Sequence, residues 1–369
     1  MTLNSISILN FKNIAEANLE FSQKVNCFTG NNGMGKTNLL DAIYYLSFCK
    51  SCTNQGDALV INDQSDMMLL QGHYTRRDEP MNISLGLQRG KRKVLKHDGK
   101  EYQKLSQHIG LLPIVMISPM DWELIRGSGE ERRRLMDQVI SQSDSEYLAA
   151  LISYSKSLTS RNALIRQGYR DQILFDTFES QMCRAAAIIH EARAKWIDDF
   201  SPIFLDYYHS ISGGSESVTI TYNSHLNSSD MQSILSANRE RDLLLGFTSG
   251  GVHRDDIELQ LNGHSMRKIG SQGQCKTYTI ALRLAQFDFL KRQSGITPIL
   301  LLDDIFDKLD ASRVSNIIAV SADARFGQIF ITDTNRTNLD NIIRNIGGDY
   351  KIFSVNKGVC QEPAEGGEE

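Results

Sequence analysis

Proline is scarce in this chain, six residues in 369, and no Pro-rich or repetitive tract interrupts it, which excludes collagen-like and low-complexity architectures. Long apolar runs are also missing. Stretches such as Ile114–Ile117 and Ile299–Leu302 fall far short of the roughly 20 residues that cross a bilayer, so no membrane span is expected. The start, Met1 to Phe11, has neither the basic opening nor the apolar core of a secretory signal, and a cytoplasmic location is the expectation. Six cysteines, at positions 27, 49, 52, 183, 275 and 360, are scattered rather than clustered, as suits free thiols in a reducing compartment. Neither sign of charge dominates: 40 basic and 44 acidic residues leave a net of −4, a weak argument against nucleic acid as a partner.

What the chain does have is ordinary globular composition, 41% hydrophobic and 23% charged, and length enough for two or three domains. The net charge conceals a basic stretch. Arg89, Lys91, Arg92, Lys93, Lys96, Lys100 and Lys104 face only Asp98 and Glu101. Such a run is either a solvated hairpin or a surface that displaces counterions from a nucleic-acid backbone. Its single aromatic, Tyr102, speaks for duplex backbone contact over base stacking. At the far end Glu362, Glu365, Glu368 and Glu369 make an acidic tail, expected to be disordered over 356–369.

Alternation at Ile6, Ile8, Leu19 and Phe21 predicts strands, followed by a compact strand at Val25–Thr29. From Lys36 the spacing of Leu39, Ile43 and Leu46 predicts a helix with one apolar face. Further short strands are expected over 67–117, with a hairpin turn at Asp98-Gly99. From about Glu130 to Ser210 the composition becomes Ala, Leu, Arg, Glu and Gln, predicting a helical bundle that Gly168 and Pro202 interrupt. The last third alternates: helix 272–293, strand 299–302, helix 311–321, strand 329–332, helix 338–345 and strand 350–355, the pattern of a parallel sheet.

Two motifs carry chemistry. Gly30-Asn31-Asn32-Gly33-Met34-Gly35-Lys36-Thr37 fits G-x-x-x-x-G-K-[ST] between a predicted strand and a predicted helix. Glycines let backbone N–H groups curl toward phosphate oxygens, the helix N-terminus adds positive potential, Lys36 reaches the terminal phosphates of ATP, and Thr37 can ligate Mg²⁺. Ile299-Leu300-Leu301-Leu302-Asp303-Asp304 reads as a buried parallel strand ending in two acids. At the carboxyl end of such a strand Asp303 can hold the Mg²⁺ shell and Asp304 can polarise an attacking water; the plainer alternative is a helix-capping pair.

Ser271-Gln272-Gly273-Gln274 opens a long helix, and Ser271 with Gln274 also makes a capping box. With the phosphate loop upstream and the Asp303-Asp304 strand and Lys308-Leu309-Asp310 downstream, the set resembles an ABC-type ATPase head. The resemblance narrows to the RecF family through Asn10-Phe11-Lys12-Asn13, Gly35 to Ile43, Ser118-Pro119 with Asp121, Gly127 and Arg132-Arg133-Arg134, and Gly251-Val252-His253-Arg254-Asp255-Asp256. It implies an α/β P-loop ABC-type head, a mixed sheet with helices, over 1–120 and 215–355, an inserted α-helical lobe over 121–214, and ATP with Mg²⁺ as cofactors. By the same resemblance Ser271, Gly273 and Gln274 meet the nucleotide of a second copy in an ATP-dependent homodimer, Lys12 reaches nucleotide, and the partners are double-stranded and gapped DNA with RecR and RecO. The basic stretch, Arg89, Lys91, Arg92, Lys93, Lys96 and Lys100, is then the DNA face. Cys275, Met120 and Val252 depart from the family pattern without removing a phosphate or metal ligand, and bear on how dimerisation couples to hydrolysis.

Rival readings are a transport ATPase subunit, disfavoured by the basic hairpin, an SMC-like tether, excluded by the missing heptads, and a DNA clamp whose nucleotide is structural. Cys49-Lys50-Ser51-Cys52 lacks the second pair that a zinc site needs. Arg132-Arg133-Arg134 is either a DNA or partner contact or a helix flank paired with Glu130 and Glu131, and His253-Arg254-Asp255-Asp256 has either a structural or a DNA-facing role.

Overall fold

The computed structural model describes residues 1–53, 56–214, 216–305, 326–334 and 349–362. In chain order the elements begin β1 (Thr2–Phe11), β2 (Ile14–Glu20), β3 (Val25–Thr29), α1 (Lys36–Phe48), α2 (Asp57–Val60), β4 (Met67–Arg76), β5 (Glu79–Gln88), β6 (Val94–His97), β7 (Lys100–Glu101) and β8 (Ile114–Ile117). A helical stretch follows: α3 (Glu123–Arg126), α4 (Gly129–Ser143), α5 (Ser145–Arg166) and α6 (Gln172–Ser212). Then come β9 (Val218–Asn223), α7 (Met231–Leu245), β10 (Asp256–Leu261), β11 (His264–Ser265), α8 (Met266–Ile269) and α9 (Gln272–Ser294). Four strands complete the described chain, β12 (Ile299–Asp303), β13 (Ile329–Asp333), β14 (Tyr350–Asn356) and β15 (Val359–Gln361). The expected helices at 311–321 and 338–345, Lys308-Leu309-Asp310, and Glu365 to Glu369 lie outside the described residues. The expected disordered tail does not begin at 356, because Ser354 to Asn356 pair with Val359 to Gln361 in an antiparallel hairpin.

The chain divides into two compact units, Trp122–Ala285 and the remainder. The remainder holds two sheets. One is antiparallel, ordered β2-β1-β4-β5-β6-β7. Alternation is clear on β4 and β5: Met68, Leu70 and Tyr74, and Met81, Ile83, Leu85 and Leu87, are buried, and polar Gln71, His73, Asn82 and Ser84 lie between them on the other face. The other sheet is ordered β15-β14-β3-β13-β12-β8, parallel except for its β15 edge. Its strands β13, β12 and β8, the last at the edge, are buried at every position, the mark of a sheet covered on both faces.

Helix α1 touches β1, β4 and β5 of the first sheet and β8, β12 and β13 of the second. Every residue of α1 except Thr37 and Asn38 is buried, so the helix has no solvent face, unlike the one-sided helix the Leu39, Ile43, Leu46 spacing suggests. Tyr44 and Tyr45, between those positions, fill the other side; Tyr45 meets Phe11 edge-on at 5.7 Å. Phe21, Phe28, Phe330 and Phe353 form an aromatic cluster with centroids 4.9–6.4 Å apart.

The second unit extends to Ala285, well past residue 214, because β9 packs on α6 and β10 on α4. Gly168 does separate α5 from α6, with φ +75°. Pro202 does not interrupt: α6 runs 41 residues straight through it. Proline removes the donor for the Asp198 carbonyl, and Asp198 lies on the exposed side of the helix, where water serves that carbonyl instead.

Two buried arginines tie this unit together. Arg161, with no solvent exposure, binds Glu179 (2.9 Å), Asp242 (2.8 Å) and Thr248 (2.7 Å). Arg193 binds Asp255 (2.7 Å), Asp137 (2.9 Å), the Val252 carbonyl (2.8 Å) and Tyr147 Oη (3.0 Å). Charges this buried persist only when paired.

Candidate nucleotide site

The phosphate loop leaves β3 in the centre of the parallel sheet and enters α1, so the sheet delivers it to the carboxyl ends of β12 and β13. Gly30 has φ +149°, and a Cβ there would lie 2.3 Å from the Val355 carbonyl oxygen. Gly35 has φ +110°, and its Cβ would lie 2.8 Å from Asn13 Nδ2. Only glycine fits either place. Asn13 and the β14–β15 turn clamp the loop from outside: Asn13 Nδ2 donates to the Met34 carbonyl (3.4 Å), Asn38 Nδ2 donates to Asn13 Oδ1 (2.7 Å), and Gly358 N donates to the same Met34 carbonyl (2.8 Å).

Lys36 is buried and donates to the carbonyls of Gly30 (2.6 Å) and Asn31 (3.0 Å). Desolvation pushes its pKa down, opposed by the negative charges of Asp304, Asp303 and Asp333. Thr37 Oγ1 donates to the Asp303 carboxylate, 3.0 Å from each oxygen. A hydroxyl whose proton is committed in this way turns its lone pairs to the cleft. Burial raises the Asp303 pKa, while hydrogen bonds from Thr332 and Thr37 favour its charged form. Thr332 Oγ1 donates to Asp303 Oδ1 (2.7 Å) and accepts from the Asp304 N–H (3.1 Å). Asp304 has φ +46°, a left-handed conformation rare outside glycine, asparagine and aspartate.

Asn32, Gly33, Gly35, Lys36, Thr37, Asn38, Asp303 and Asp304 line one cleft of about 180 Å³. Its chemistry fits a phosphate chain with a hard divalent cation. No side chain caps the N-terminus of α1, leaving its first N–H groups to an anion. Thr37 and Asp303 offer oxygen donors alone, and Mg²⁺ takes one or two protein oxygens and completes its shell with water and phosphate.

Lys12 is not among the residues that line this cleft. Its ammonium pairs with buried Asp41 at 2.7 Å, and Asp41 also accepts from Ser51 Oγ (2.7 Å) and Cys52 N (2.6 Å). Ser271, Gly273 and Gln274 belong to the second unit. Ser271 N donates to Gln274 Oε1 (2.9 Å) and Gln274 N to Ser271 Oγ (3.2 Å), a reciprocal capping box, and Gln274 Nε2 binds Glu216 (2.7 Å).

The basic stretch forms the expected hairpin, turning at Asp98 (φ +47°) and Gly99 (φ +79°), a type I′ geometry. Its cations divide into two groups. Arg89 binds the carbonyls of Ala58 (2.9 Å) and Ser65 (3.1 Å), and Lys93 pairs with Asp57 (2.7 Å) and the Cys49 carbonyl (2.5 Å) above the Tyr45 ring. Both hold the fold. Lys91, Lys96, Lys100 and Lys104 are exposed, as is Arg92, which pairs with Glu101.

Other motif residues make contacts within the chain. Arg132 grips Asp256 with two bonds (2.6 and 2.8 Å), Arg133 reaches the Asp255 carbonyl, and Arg134 pairs with Glu130 and Glu131. His253 bridges Tyr154 Oη (2.8 Å) and the Thr248 carbonyl (3.0 Å). Of the departures from the family pattern, Val252 lends its carbonyl to Arg193, Cys275 Sγ lies against the Gly270 carbonyl, and Met120 is exposed. Burial pushes the Cys49 thiol up to about 12 and raises Cys52, the reverse of a redox-active pair. Among the described residues no group of three His, Cys, Asp or Glu could hold a metal, and no helix is long and apolar enough to cross a membrane.

The family model described as the RecF/RecN/SMC N terminal domain matches residues 2–360. The chain belongs to the RecF/RecN/SMC family. A protein of Parabacteroides distasonis named DNA replication and repair protein RecF is 51% identical over 99% of this chain and 100% of its own length. A namesake in Bacteroides thetaiotaomicron is 50% identical, covering 98% and 99%. Among solved structures, the recombination mediator protein RecF with ATP, of the RecFOR pathway, superposes with a TM-score of 0.88 at 28% identity over 98% of both chains. An Smc head domain bound to the C-terminal domain of ScpA, 16% identical with a TM-score of 0.57 over 98% of this chain and 95% of its own, shares the fold. The fold of this RecF-family chain is therefore the ATPase head shared by RecF and SMC proteins, mixed α/β.

Proposed function

We propose that this chain is an ATP-dependent DNA-binding protein of recombinational repair and replication-fork maintenance. ATP with Mg²⁺ drives two copies together on duplex DNA beside single-strand gaps, Ser271, Gly273 and Gln274 of each copy meeting the nucleotide of the other. RecO and RecR are the partners in loading the recombinase, and slow, DNA-stimulated hydrolysis through Asp304 releases the DNA. The observation that carries this reading is the alignment of Lys36, Thr37 and Asp303 in one cleft at the carboxyl end of the parallel sheet.

Lys36 binds the terminal phosphates, Thr37 and Asp303 hold the cation, and Asp304 orients water. Bound Mg²⁺ would neutralise charge developing on the phosphate oxygens. The chain's own work is positioning, so rate depends on the geometry of these side chains. The DNA face centres on Lys91, Lys96 and Lys100, with Arg92 beside them paired to Glu101; Arg89, though exposed, and Lys93 are held by contacts within the fold.

The test is ATP hydrolysis against protein concentration, with and without gapped duplex DNA, in moderate salt. Rate per molecule rises with concentration and again with DNA; a flat, DNA-indifferent rate refutes the coupling. Lys36→Arg abolishes ATP-dependent DNA binding in a folded protein, and normal binding by that variant counts against the nucleotide site. A second reading, a clamp whose nucleotide is structural, is favoured by the reach of Asp304, one methylene shorter than glutamate. Single-turnover hydrolysis separates the two.

A further inference from the structure

Thr332 is a single hydroxyl near the end of β13, whose sequence Ile329-Phe330-Ile331-Thr332-Asp333 is buried throughout. It has no solvent exposure. A hydroxyl in such a place needs partners for its proton and its lone pairs, and both partners belong to the carboxylate pair on the neighbouring strand. Its proton goes to Asp303 Oδ1 at 2.7 Å; its oxygen accepts the Asp304 N–H at 3.1 Å, and the Thr332 carbonyl accepts the same N–H at 3.2 Å. The strands run parallel with Asp303 opposite Thr332 in register, so the side chain cannot slide away from this position without breaking the ladder.

We propose that Thr332 is the positioning residue that orients both acids of the nucleotide site through the relay Asp304 N–H to Thr332 Oγ1–H to Asp303 Oδ1. Two features make the relay necessary. Among the described residues the donors to the Asp303 carboxylate are two hydroxyls, Thr37 from the phosphate loop and Thr332 from the sheet; with Thr332 removed, its carboxylate plane can rotate about the Thr37 contact. Asp304 sits at φ +46°, and its N–H is fastened at that angle by Thr332 alone among the described contacts of that atom. The strand that follows Asp303-Asp304 by some distance in sequence thus sets where the cation ligand points and how the water-orienting acid leaves the strand.

The inference rests on the proposed function, and the experiment separates the two. Thr332→Val keeps the β-branched shape and removes both hydrogen bonds; Thr332→Ser keeps the hydroxyl. Binding of a fluorescent ATP analogue is measured in EDTA and across a Mg²⁺ titration, with phosphate release in parallel. Thr332→Val binds nucleotide in EDTA as the parent does, needs more Mg²⁺ for its midpoint, and loses about 10- to 100-fold in kcat with little change in KM, the scale of a lost bond to a charged group. Thr332→Ser restores most of both. An unchanged Mg²⁺ midpoint and kcat in Thr332→Val overturn the proposal. If the parent hydrolyses nothing, the proposed enzymatic function fails, and the Mg²⁺ midpoint of binding still decides the role of Thr332. Thr332→Ala gives the same comparison if the valine variant does not fold.

Discussion

Replacing Gly35 by alanine strikes the phosphate loop where two constraints coincide. Its φ of +110° costs an L-residue roughly 1–3 kcal/mol. The new Cβ falls 2.8 Å from Asn13 Nδ2 and 2.9 Å from Oδ1, so Asn13 must turn away and release Asn38 and the Met34 carbonyl. Two exposed bonds of this kind add about 1 kcal/mol. Charged against nucleotide binding, the total of about 2–4 kcal/mol weakens affinity by about 30- to 1,000-fold. Gly33 supplies the control. Its φ is +78°, but nothing lies within 4 Å of its Cβ position, so Gly33→Ala carries strain alone, roughly 1–2 kcal/mol and about 5- to 30-fold. Titration of a fluorescent ATP analogue into each variant, with melting curves to confirm folding, measures the difference. Asn13→Ala alone loses the same two bonds, about 1 kcal/mol, and costs nothing further in the Gly35→Ala background where they are already broken, a non-additivity that a double-mutant cycle reads. Equal losses for Gly33→Ala and Gly35→Ala, or full additivity of Asn13→Ala with Gly35→Ala, would refute the clamp.

Arg193→Met removes a buried cation and strands Asp255, whose side chain has no solvent exposure; urea unfolding shows a loss of about 3–5 kcal/mol, and Arg193→Met with Asp255→Asn recovers part of it. Burial takes His108 and His253 down to about 4 from 6.5. The fold keeps both rings neutral, so their stabilisation is complete above pH 6.5, declines as the unfolded chain takes up protons, and is gone below about pH 4, roughly 3 kcal/mol for each. Denaturation at a series of pH values checks that window. Arg89→Ala lowers the melting temperature because four carbonyls lose their donor, whereas Lys96→Ala leaves melting unchanged and reduces the salt slope of duplex DNA binding by about one. Asp304→Asn retains ATP binding and loses single-turnover hydrolysis; unchanged hydrolysis removes Asp304 from its assigned role.

The phosphate loop and the Asp303-Asp304 strand were legible because each is a contiguous run whose local geometry dictates its chemistry: glycines where φ is positive, an apolar strand where both faces are covered. The fates of the basic residues were not. Arg89 and Lys96 look alike in sequence, and only the loop at Ala58 to Ser65 folding beneath Arg89 distinguishes them. Arg132-Arg133-Arg134 and Asp255-Asp256 were visible as charged motifs, yet their meaning lies in each other and in Arg193, more than fifty residues from Asp255. Thr332 did leave a signal: a threonine next to the aspartate that closes an otherwise apolar parallel strand. Helix α1 left one too, since Ala42 to Leu46 is apolar on every side, and a helix between two sheets has no use for a polar face.

The position of β3 has a consequence for how the protein is made. This strand, Val25–Thr29, leaves the ribosome early, yet both of its neighbours, β13 and β14, begin at residues 329 and 350. At ordinary translation rates roughly 15 to 60 seconds pass before either neighbour exists. Through that interval a buried central strand and the loop that binds nucleotide have no sheet to join, and Asp303 is not yet opposite Thr37. A ribosome-bound fragment ending before residue 300 lacks Asp303 and both neighbours of β3, so the cleft assembles only as synthesis closes.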